Sequence, residues 1–199
     1  MNESEVLKQH ISKRILLPED ELNVLVAAFA VKRIKKRQFI IQPEFTARVR
    51  TYIIKGAFRS YVVGPDGAEH TIQLAIDDWW ISDYSSYIFQ KPATMFVVAL
   101  QDSIVMQIEY ETEQRLKREY HNIETFFRIA AEGLAAYHQR RIIASLTRTA
   151  EERYNDFITA YPGMSEQVPQ YAIASYLGVT TQFISKIRNK KAASKPSKS

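Results

Sequence analysis

Cysteine is the residue that this sequence lacks altogether: none of its 199 residues carries a thiol. That absence excludes disulfides, thiolate zinc sites, cysteine-ligated iron–sulfur clusters and cysteine nucleophiles together. Long apolar runs are missing as well, since no stretch approaches the roughly 20 residues needed to cross a bilayer. We therefore expect a cytoplasmic protein without a membrane partner.

The residue patterns of enzymes and metal centres are also missing. The sequence has no glycine-rich phosphate loop, no paired His/acid metal motif and no nucleophile elbow. Its histidines are scattered over different predicted elements, at His10, His70, His121 and His138. Such a distribution defines neither a metal site nor a haem site. We expect no catalytic residue, no metal and no cofactor, and therefore not an enzyme.

What the sequence does contain is a strong asymmetry of charge. The formal net charge is +5, yet residues 1–159 hold equal numbers of basic and acidic side chains. Beyond residue 159 the acid is Glu166, and the basic residues are Lys186, Arg188, Lys190, Lys191, Lys195 and Lys198. A basic segment on a neutral body suits a polyanion such as double-stranded DNA, because neutralised phosphates release their counterions. The alternative for Lys195 and Lys198, which lie among serines, is a solubilising tail.

Short β-rich runs separated by turn signals fill the region from Gln38 to Tyr110. The runs cover residues 39–41, 51–54, 58–63, 70–76, 95–100 and 103–108. Strands at this spacing without helices between them predict an antiparallel β-roll or barrel. Before them, Leu7 to Phe29 reads as one or two short helices, with Pro18 opening the second. The basic run from Lys32 to Arg37 could touch DNA or an acidic partner, but we interpret it as a solvated face ahead of the first strand.

After Tyr110 the hydrophobic period lengthens from two towards about 3.5 residues, which predicts a long helix. One stripe of this helix carries apolar residues at 4-3-4-3 spacing: Ile123, Phe127, Ala130, Leu134 and Tyr137. The stripe is a candidate dimer seam. The alternative is that the helix packs on its own roll, because a stripe of under three heptads fits either arrangement.

A new helix is predicted to start at Thr149. The segment Thr149-Ala150-Glu151-Glu152 matches a capping box, in which a threonine oxygen accepts from a first-turn amide and the glutamate reaches back. This helix carries Tyr154, Phe157 and Tyr161 on one face and is stopped by Pro162-Gly163. We therefore place a domain boundary near Thr147 to Thr149.

The segment from Gln170 to Lys190 has the pattern of a helix-turn-helix. Ala174 is small where two helices cross closely, and Gly178 can adopt the left-handed conformation that ends the first helix. Thr180 can cap the second helix. The inner apolar core would consist of Ile173, Leu177, Val179, Ile184 and Ile187. The outer face would present Thr181, Gln182, Ser185, Lys186 and Asn189, side chains able to reach bases or phosphates. The alternative is an ordinary helical hairpin.

This order of roll, long helix and terminal helix-turn-helix resembles the Crp/Fnr family of bacterial transcription regulators. The resemblance covers about Leu22 to Lys190 and is most specific over Val168 to Lys190. It implies that Thr181, Gln182 and Lys186 read bases, that Thr180, Ser185 and Arg188 contact phosphates, and that Asn189 and Lys190 also belong to the DNA-binding surface. It also implies a homodimer on a two-fold symmetric operator, and RNA polymerase as a further partner. Family members usually continue into a β-hairpin wing, whereas a short Lys/Ser tail follows here.

The resemblance implies an α+β fold with three parts. Residues 1–120 would form a cyclic-nucleotide-binding-like β-roll that acts as a sensor, residues 121–147 a dimerisation helix, and residues 148–199 a helix-turn-helix DNA-binding domain whose wing is truncated or absent. The alternative function is a sensor module for a small molecule or protein that does not use its helix-turn-helix on DNA.

The phosphate cassette of cyclic-nucleotide-binding relatives is not preserved in the roll. Ser82 stands in place of the glycine, Asp83 in place of the glutamate, and Ala93 in place of the arginine. A cyclic phosphate would then be buried without a countercharge, so we expect no dependence on cyclic AMP. A pocket for an unidentified effector could instead involve Trp79, Trp80, Asp83, Tyr84, Ser85 and Thr94. The alternative for these aromatic residues is core filling or a lid over the roll.

Overall fold

A computed structural model of the chain describes residues 2–193, and of residues 191–193 only the backbone. The side chains of Lys191, Lys195 and Lys198, which carry part of the predicted C-terminal charge, lie outside the described residues. The strands are β1 (Ala30–Ile34), β2 (Phe39–Ile41), β3 (Val49–Lys55), β4 (Phe58–Val63), β5 (Glu69–Ala75), β6 (Trp80–Ile81), β7 (Phe96–Ala99) and β8 (Ser103–Glu109). The helices are α1 (Glu3–Ser12), α2 (Glu19–Ala27), α3 (Tyr84–Phe89), α4 (Tyr110–Glu119), α5 (His121–Thr147), α6 (Ala150–Ala160), α7 (Met164–Gln167), α8 (Gln170–Leu177) and α9 (Thr181–Ala193).

The strands form a roll of two four-stranded antiparallel sheets. Their orders are β1-β8-β3-β6 and β2-β7-β4-β5. The inner faces enclose an apolar core to which Phe58, Ile53, Tyr87 and Val105 each contribute a fully buried side chain. Every β run predicted from the sequence lies on one of these strands, and the α+β class with antiparallel sheets and a long helix is confirmed.

The interpretation of the basic run Lys32 to Arg37 as a segment ahead of the first strand is wrong. Its first part lies on β1, which pairs antiparallel with β8 from Ala30 opposite Gln107 to Ile34 opposite Ser103. Because β1 is an edge strand, its residues are exposed apart from Ile34. An edge strand exposed in this way lacks the apolar alternation by which strands are recognised in a sequence.

The N-terminal helices seal one side of the roll. Leu7 and Ile11 of α1 and Phe126 of α5 are fully buried in a shared apolar cluster that also includes residues of β3 and β8. Pro18 precedes α2 at its N-cap position, as the sequence predicts, because a fixed φ and a missing amide cost nothing there. The first part of α5 is therefore anchored to the body of the protein.

The dimer seam predicted from the sequence needs correction at its first two positions. Ile123 is 0% exposed and Phe127 2% exposed within one chain, so neither has area left for a partner. Ala130, Leu134 and Tyr137 are half-buried and line a cavity between α5 and the roll of the same chain. The 3.5-residue period locates an apolar face of the helix but does not say which surface that face meets.

Another stripe of α5 faces outwards at the same 4-3-4-3 spacing. Its exposed residues are Arg128, Glu132, Ala135, Gln139, Ile142 and Leu146. Its apolar end stands well out of the chain, with Ile142 59% and Leu146 80% exposed. This outward stripe is therefore an exposed face of α5, whereas Ile123 and Phe127 of the predicted seam are not exposed.

The C-terminal helices begin where the sequence predicts. Thr149 accepts from the Glu152 amide and its own amide donates to the Glu152 carboxylate, which completes the capping box. Tyr154 and Phe157 are buried, and α6 ends just before Pro162. The apolar core of α6 to α9 is continuous with a patch of the roll formed by Ala57, Leu74 and Leu100. Within residues 2–193, no helix is both long and apolar enough to cross a membrane.

Candidate nucleic-acid interface

The two helices α8 and α9 are joined by a turn whose geometry depends on glycine. Gly178 has φ 68°, a left-handed conformation that a side chain would disfavour, and the Val179 amide donates to the Ala174 carbonyl at 3.0 Å. Thr180 then accepts from the Phe183 amide at 3.1 Å and caps α9. The predicted roles of Gly178 and Thr180 in this turn are both confirmed.

The inner faces of α8 and α9 form the predicted apolar core. Ile173, Leu177, Ile184 and Ile187 are each at most 8% exposed, and Val179 packs against the same cluster. Ala174 is 2% exposed at the point where the sequence requires a small residue. Because this core fixes the rotation of α9 about its own axis, it also determines which residues face outwards.

The outward face of α9 presents polar and basic side chains. Gln182, Lys186 and Asn189 are exposed and follow one another at spacings of four and three, so they share one face of the helix. Arg188 is also exposed. Among the described residues, no carboxylate lies within 4.0 Å of Lys186 or Arg188, so their charges are not neutralised within the chain.

Several of the predicted contact residues, besides the N-cap Thr180, have partners inside the protein. The Ser185 hydroxyl accepts from Gln170 Nε2 at 3.0 Å and donates to the Thr181 carbonyl at 3.0 Å. The Thr181 side chain is half-buried and donates to Gln182 Oε1 at 3.3 Å. Lys190 reaches back to Glu151 of α6 at 3.8 Å. These contacts hold α9 in place. Among the described residues, the Lys186, Arg188 and Asn189 side chains have no partner, and the exposed Gln182 is bonded only to its neighbour Thr181.

Gln170 is a contributor that the sequence pattern did not reveal. Its side-chain amide donates to both the Thr181 carbonyl and the Ser185 hydroxyl, which ties the start of α8 to the first turn of α9. A glutamine in the first turn of a helix is common on any solvated surface. No local signal in the sequence therefore identifies this role.

A polar contact fastens α8 to the roll. The Ser175 hydroxyl accepts from the Thr71 amide at 3.0 Å and donates to the Glu69 carbonyl at 2.9 Å, both on β5. Arg141 of α5 joins the same region, because its guanidinium donates to the carbonyls of Thr71 at 3.1 Å and Tyr176 at 3.0 Å. The α8–α9 pair is thus connected to the roll through β5 and α5.

A cavity of about 450 Å³ lies between α5 and the roll, where the sequence predicts an effector pocket. Trp79, Trp80 and Tyr84 line it, as predicted. Asp83, Ser85 and Thr94 do not, so that part of the prediction is wrong. The Asp83 carboxylate is fully buried and accepts from the Ser86 amide at 3.0 Å and the Thr94 amide at 2.9 Å. It acts as the N-cap of α3, because its side-chain oxygen accepts from a first-turn amide.

Guanidinium groups reach this cavity from positions outside the expected cassette. Arg50 of β3 lines it but is held by a bidentate pair with the buried Glu113, at 2.7 and 2.8 Å. Arg14 lines it as well and donates to the His10 carbonyl at 2.9 Å. The absence of the cassette arginine suggested a cavity without cations, but two guanidinium groups line it. The charge of Arg50 is already compensated by Glu113 within the chain.

The two tryptophans of the cavity wall face different neighbours. Trp80 donates from Nε1 to His10 Nε2 at 2.8 Å and packs beside Phe126, on the side of the N-terminal helices. Trp79 lies edge-on to Tyr161, which directly follows α6, with ring centroids 5.2 Å apart. One residue of the cavity wall therefore also packs against the C-terminal segment.

No protein-family model and no curated protein matches the sequence significantly. Solved structures do match. The c-di-GMP-responsive global regulator CLP of Xanthomonas campestris aligns with a TM-score of 0.69 at 13% identity, over 88% of this chain and 92% of that one. FixK2 of Bradyrhizobium japonicum aligns with a TM-score of 0.68 at 17% identity, over 83% and 85%. The catabolite activator protein of Thermus thermophilus aligns with a TM-score of 0.54 at 16% identity, over 89% and 84%. The chain therefore has the cyclic-nucleotide-binding-like fold that these regulators share.

Proposed function

We propose that this protein is a DNA-binding transcription regulator that uses α8 and α9 as a helix-turn-helix. The observation that carries this proposal is the outward face of α9, where Gln182, Lys186 and Asn189 are exposed together while the opposite face is locked in an apolar core. Amide and ammonium groups on one helix face match the donors and acceptors of base edges in the major groove. The unpaired charges of Lys186 and Arg188 add attraction to phosphates.

The second part of the proposal is a homodimer that reads a two-fold symmetric site. The outward stripe of α5 is suited to self-association because Ala135 is small and exposed while Ile142 and Leu146 are apolar and exposed. Oppositely charged Arg128 and Glu132 lie on the same stripe. Two copies related by a dyad would present two α9 helices to half-sites about 34 Å apart along the duplex.

The third part concerns the roll, which we propose acts as the sensor. Its cavity of about 450 Å³ has the size of a small-molecule site. Two of its wall residues pack further outwards, Trp80 against His10 of α1 and Trp79 against Tyr161 after α6. With Ala93 in the cassette and Arg50 committed to Glu113, we expect no cyclic AMP dependence. The effector would be chosen by the aromatic walls of Trp79, Trp80 and Tyr84.

The experiment that tests DNA reading compares single alanine variants of α9 on two duplexes. The cognate duplex is first selected from genomic fragments by the purified protein, and the second is its scrambled version. Gln182→Ala and Lys186→Ala are each expected to cost roughly 1–3 kcal/mol on the cognate duplex and much less on the scrambled one. Neither side chain contributes to the apolar core, so both variants keep the parent's stability.

Matched controls separate base reading from charge attraction. Lys190→Ala removes the same charge one turn further along α9, where the ammonium faces Glu151, and is expected to weaken both duplexes alike. Lys32→Ala removes an exposed lysine of β1 and should change neither titration. If Gln182→Ala and Lys186→Ala lost affinity equally on both duplexes, α9 would be an electrostatic anchor instead of the sequence reader.

A further inference from the structure

A second and larger cavity, of about 700 Å³, lies where β5, α5, α6 and α8 meet. We call it the junction cavity. Ile72 and Tyr137 border both cavities, and the residues that line the junction cavity from α5 all come from its second half. No sequence motif pointed to this place, and the proposed reading of DNA makes no use of it.

Positive charge is concentrated around the junction cavity. Four arginines line it, namely Arg140, Arg141, Arg148 and Arg153, against the single carboxylate of Asp156. Asp156 is already paired with Arg148. Throughout the described part of the chain, no other carboxylate comes within 4.0 Å of any of the four. The cavity therefore keeps a surplus of unneutralised guanidinium charge.

Two of these arginines are fixed by backbone carbonyls, which orients them without neutralising them. Arg141 donates to Thr71 and Tyr176, and Arg153 donates to the Arg148 carbonyl at 2.8 Å and the Leu177 carbonyl at 3.2 Å. Because carbonyl oxygens carry only partial charge, a desolvated guanidinium in this position gains from an anionic partner. Arg140 has an exposed side chain at the rim and is the most available of the four.

Polar residues His70, Thr71, Ser145 and Ser175 also line the junction cavity. The larger part of the remaining wall is apolar and aromatic, and it consists of Phe157 of α6, Tyr161 just after α6, Tyr176 of α8, and Ile143 and Ala144 of α5. Burial raises the pKa of Tyr161, so its phenol stays neutral and adds no negative charge to the cavity. An inorganic anion would leave these walls unfilled, and an apolar molecule would leave the guanidinium charge uncompensated.

We propose that the junction cavity binds an organic anion that has an apolar or aromatic body, with its acidic group on the arginines and its body against Phe157 and Tyr161. The volume lies within the range of about 300–1,000 Å³ that small-molecule sites occupy. Dimerisation through the outward stripe would leave the arginine side of the cavity open, because Ile142 and Leu146 each lie two residues from Ala144, on the opposite face of the helix. Ile143, at the edge of the cavity, lies between the two faces.

The test uses decanoate as an aliphatic anion, anilinonaphthalene sulfonate as an aromatic one, decanol as the neutral counterpart of decanoate, and inorganic phosphate. Calorimetry and the shift in Tm measure binding to the full chain. At least one organic anion is expected to bind and raise Tm, and decanol and phosphate are each expected to bind at least tenfold more weakly. Comparison of decanoate with anilinonaphthalene sulfonate shows whether the cavity prefers an aliphatic or an aromatic anion.

Four variants locate the site. Arg140→Gln and Ala144→Trp, which remove the rim charge and fill the junction cavity, are each expected to weaken binding about tenfold or more. Arg128→Gln removes a charge from the outward stripe of α5, and Ala131→Trp fills the 450 Å³ cavity instead. Both controls are expected to bind like the parent.

Several results would overturn the proposal. They are equal binding of decanol and decanoate, binding of phosphate as strong as that of the organic anions, or no binding of either organic anion at millimolar concentration. Loss of binding in Ala131→Trp with retention in Ala144→Trp would assign the anion to the other cavity. Circular dichroism of each variant separates loss of binding from loss of fold, since Arg140 is exposed and its replacement leaves the core intact.

Discussion

The roll makes two junctions with helices, and the two are built from different interactions. At the N-terminal junction, Leu7, Ile11 and Phe126 are fully buried against the roll. The polar group enclosed there, His10, is saturated: its ring accepts from Trp80 at 2.8 Å and its Nδ1 lies 2.6 Å from the Asp78 carboxylate. Apolar burial of this extent contributes about 1.5–3 kcal/mol for each large side chain, so separating this junction amounts to unfolding.

At the C-terminal junction the roll offers hydrogen-bonding groups beside a smaller apolar patch of Ala57, Leu74 and Leu100. Ser175 and Arg141 bond to the backbone of β5, and the junction cavity takes up space that side chains fill at the other end. A hydrogen bond that can be exchanged for water contributes only about 0.5–1.5 kcal/mol net. The difference predicts that the C-terminal junction opens more readily than the N-terminal one, and under the proposed function it is the junction that a ligand or DNA would shift.

The largest effect is expected from one substitution made at two positions of α5. Leu146→Glu places a charge in the outward stripe of both subunits, and like charges at an interface cost several kcal/mol, so we expect dimer affinity to fall about 100-fold or more. Leu134→Glu places the charge beside the cavity of the same chain, and should lower the free energy of unfolding by about 1–3 kcal/mol while dimerisation persists. Sedimentation equilibrium and urea titration measure the two quantities.

The opposite result would restore the seam predicted from the sequence. If Leu134→Glu sedimented as a monomer and Leu146→Glu as a dimer, the half-buried stripe of α5 would be the interface. Gln139→Glu provides a milder control, because it adds a charge to an outward position that is already polar.

The correction at α5 illustrates what the sequence could and could not predict. Hydrophobic periodicity and turn residues located the strands, the helix and the α8–α9 turn, because these are determined by neighbours in the chain. Whether Phe127 meets a partner or its own roll depends on α1 and α2, which lie about 100 residues away in sequence. The hydrophobic pattern within α5 carries no information about contacts with such distant parts of the sequence.

The same limit applies to the candidate site. The outward positions Gln182 and Lys186 follow from the helical period once the inner core of α9 is recognised. The contacts that Ser185 and Lys190 make within the protein cannot be predicted in this way, because their partners Gln170 and Glu151 lie in other helices. The junction cavity was missed for a similar reason, since its arginines come from α5, α6 and the turn between them and meet only in the folded chain.

The next prediction, of intermediate size, is a pH dependence of the free energy of unfolding that originates in the N-terminal junction. Burial lowers the pKa of His10 from 6.5 to about 4, although its hydrogen bond to Asp78 opposes the shift and the nearby Arg14 and Lys13 reinforce it. As pH falls below about 6.5, His10 becomes protonated in the unfolded chain but stays neutral in the folded chain. The free energy of unfolding is therefore highest above that pH and decreases as pH falls towards 4. Between pH 7.5 and 5.0 we expect a loss of about 2 kcal/mol in urea titrations.

Two histidine variants check the origin of this loss. His121→Gln replaces an exposed histidine and should keep the pH dependence of the parent. His10→Gln should be less stable at pH 7.5 but should lose most of the slope between pH 7.5 and 5.0. An unchanged slope in His10→Gln would mean that the acid sensitivity arises elsewhere than in the N-terminal junction.

The smallest effect is expected at the C-terminal junction, from removal of a single hydroxyl. Ser175→Ala loses the bonds to the Thr71 amide and the Glu69 carbonyl, which should weaken docking of α8 by about 1 kcal/mol, or about fivefold in the opening equilibrium. Amide hydrogen exchange measures this directly, because the Thr71 amide loses its acceptor. Exchange at Thr71 and along α8 should accelerate about fivefold, while the amides of α1 keep their protection. Ser145→Ala is the matched control, because its hydroxyl bonds only to the Ile142 carbonyl of its own helix. If protection in α1 fell as much as in α8, the two junctions would open together, and the distinction between a permanent and a separable contact would fail.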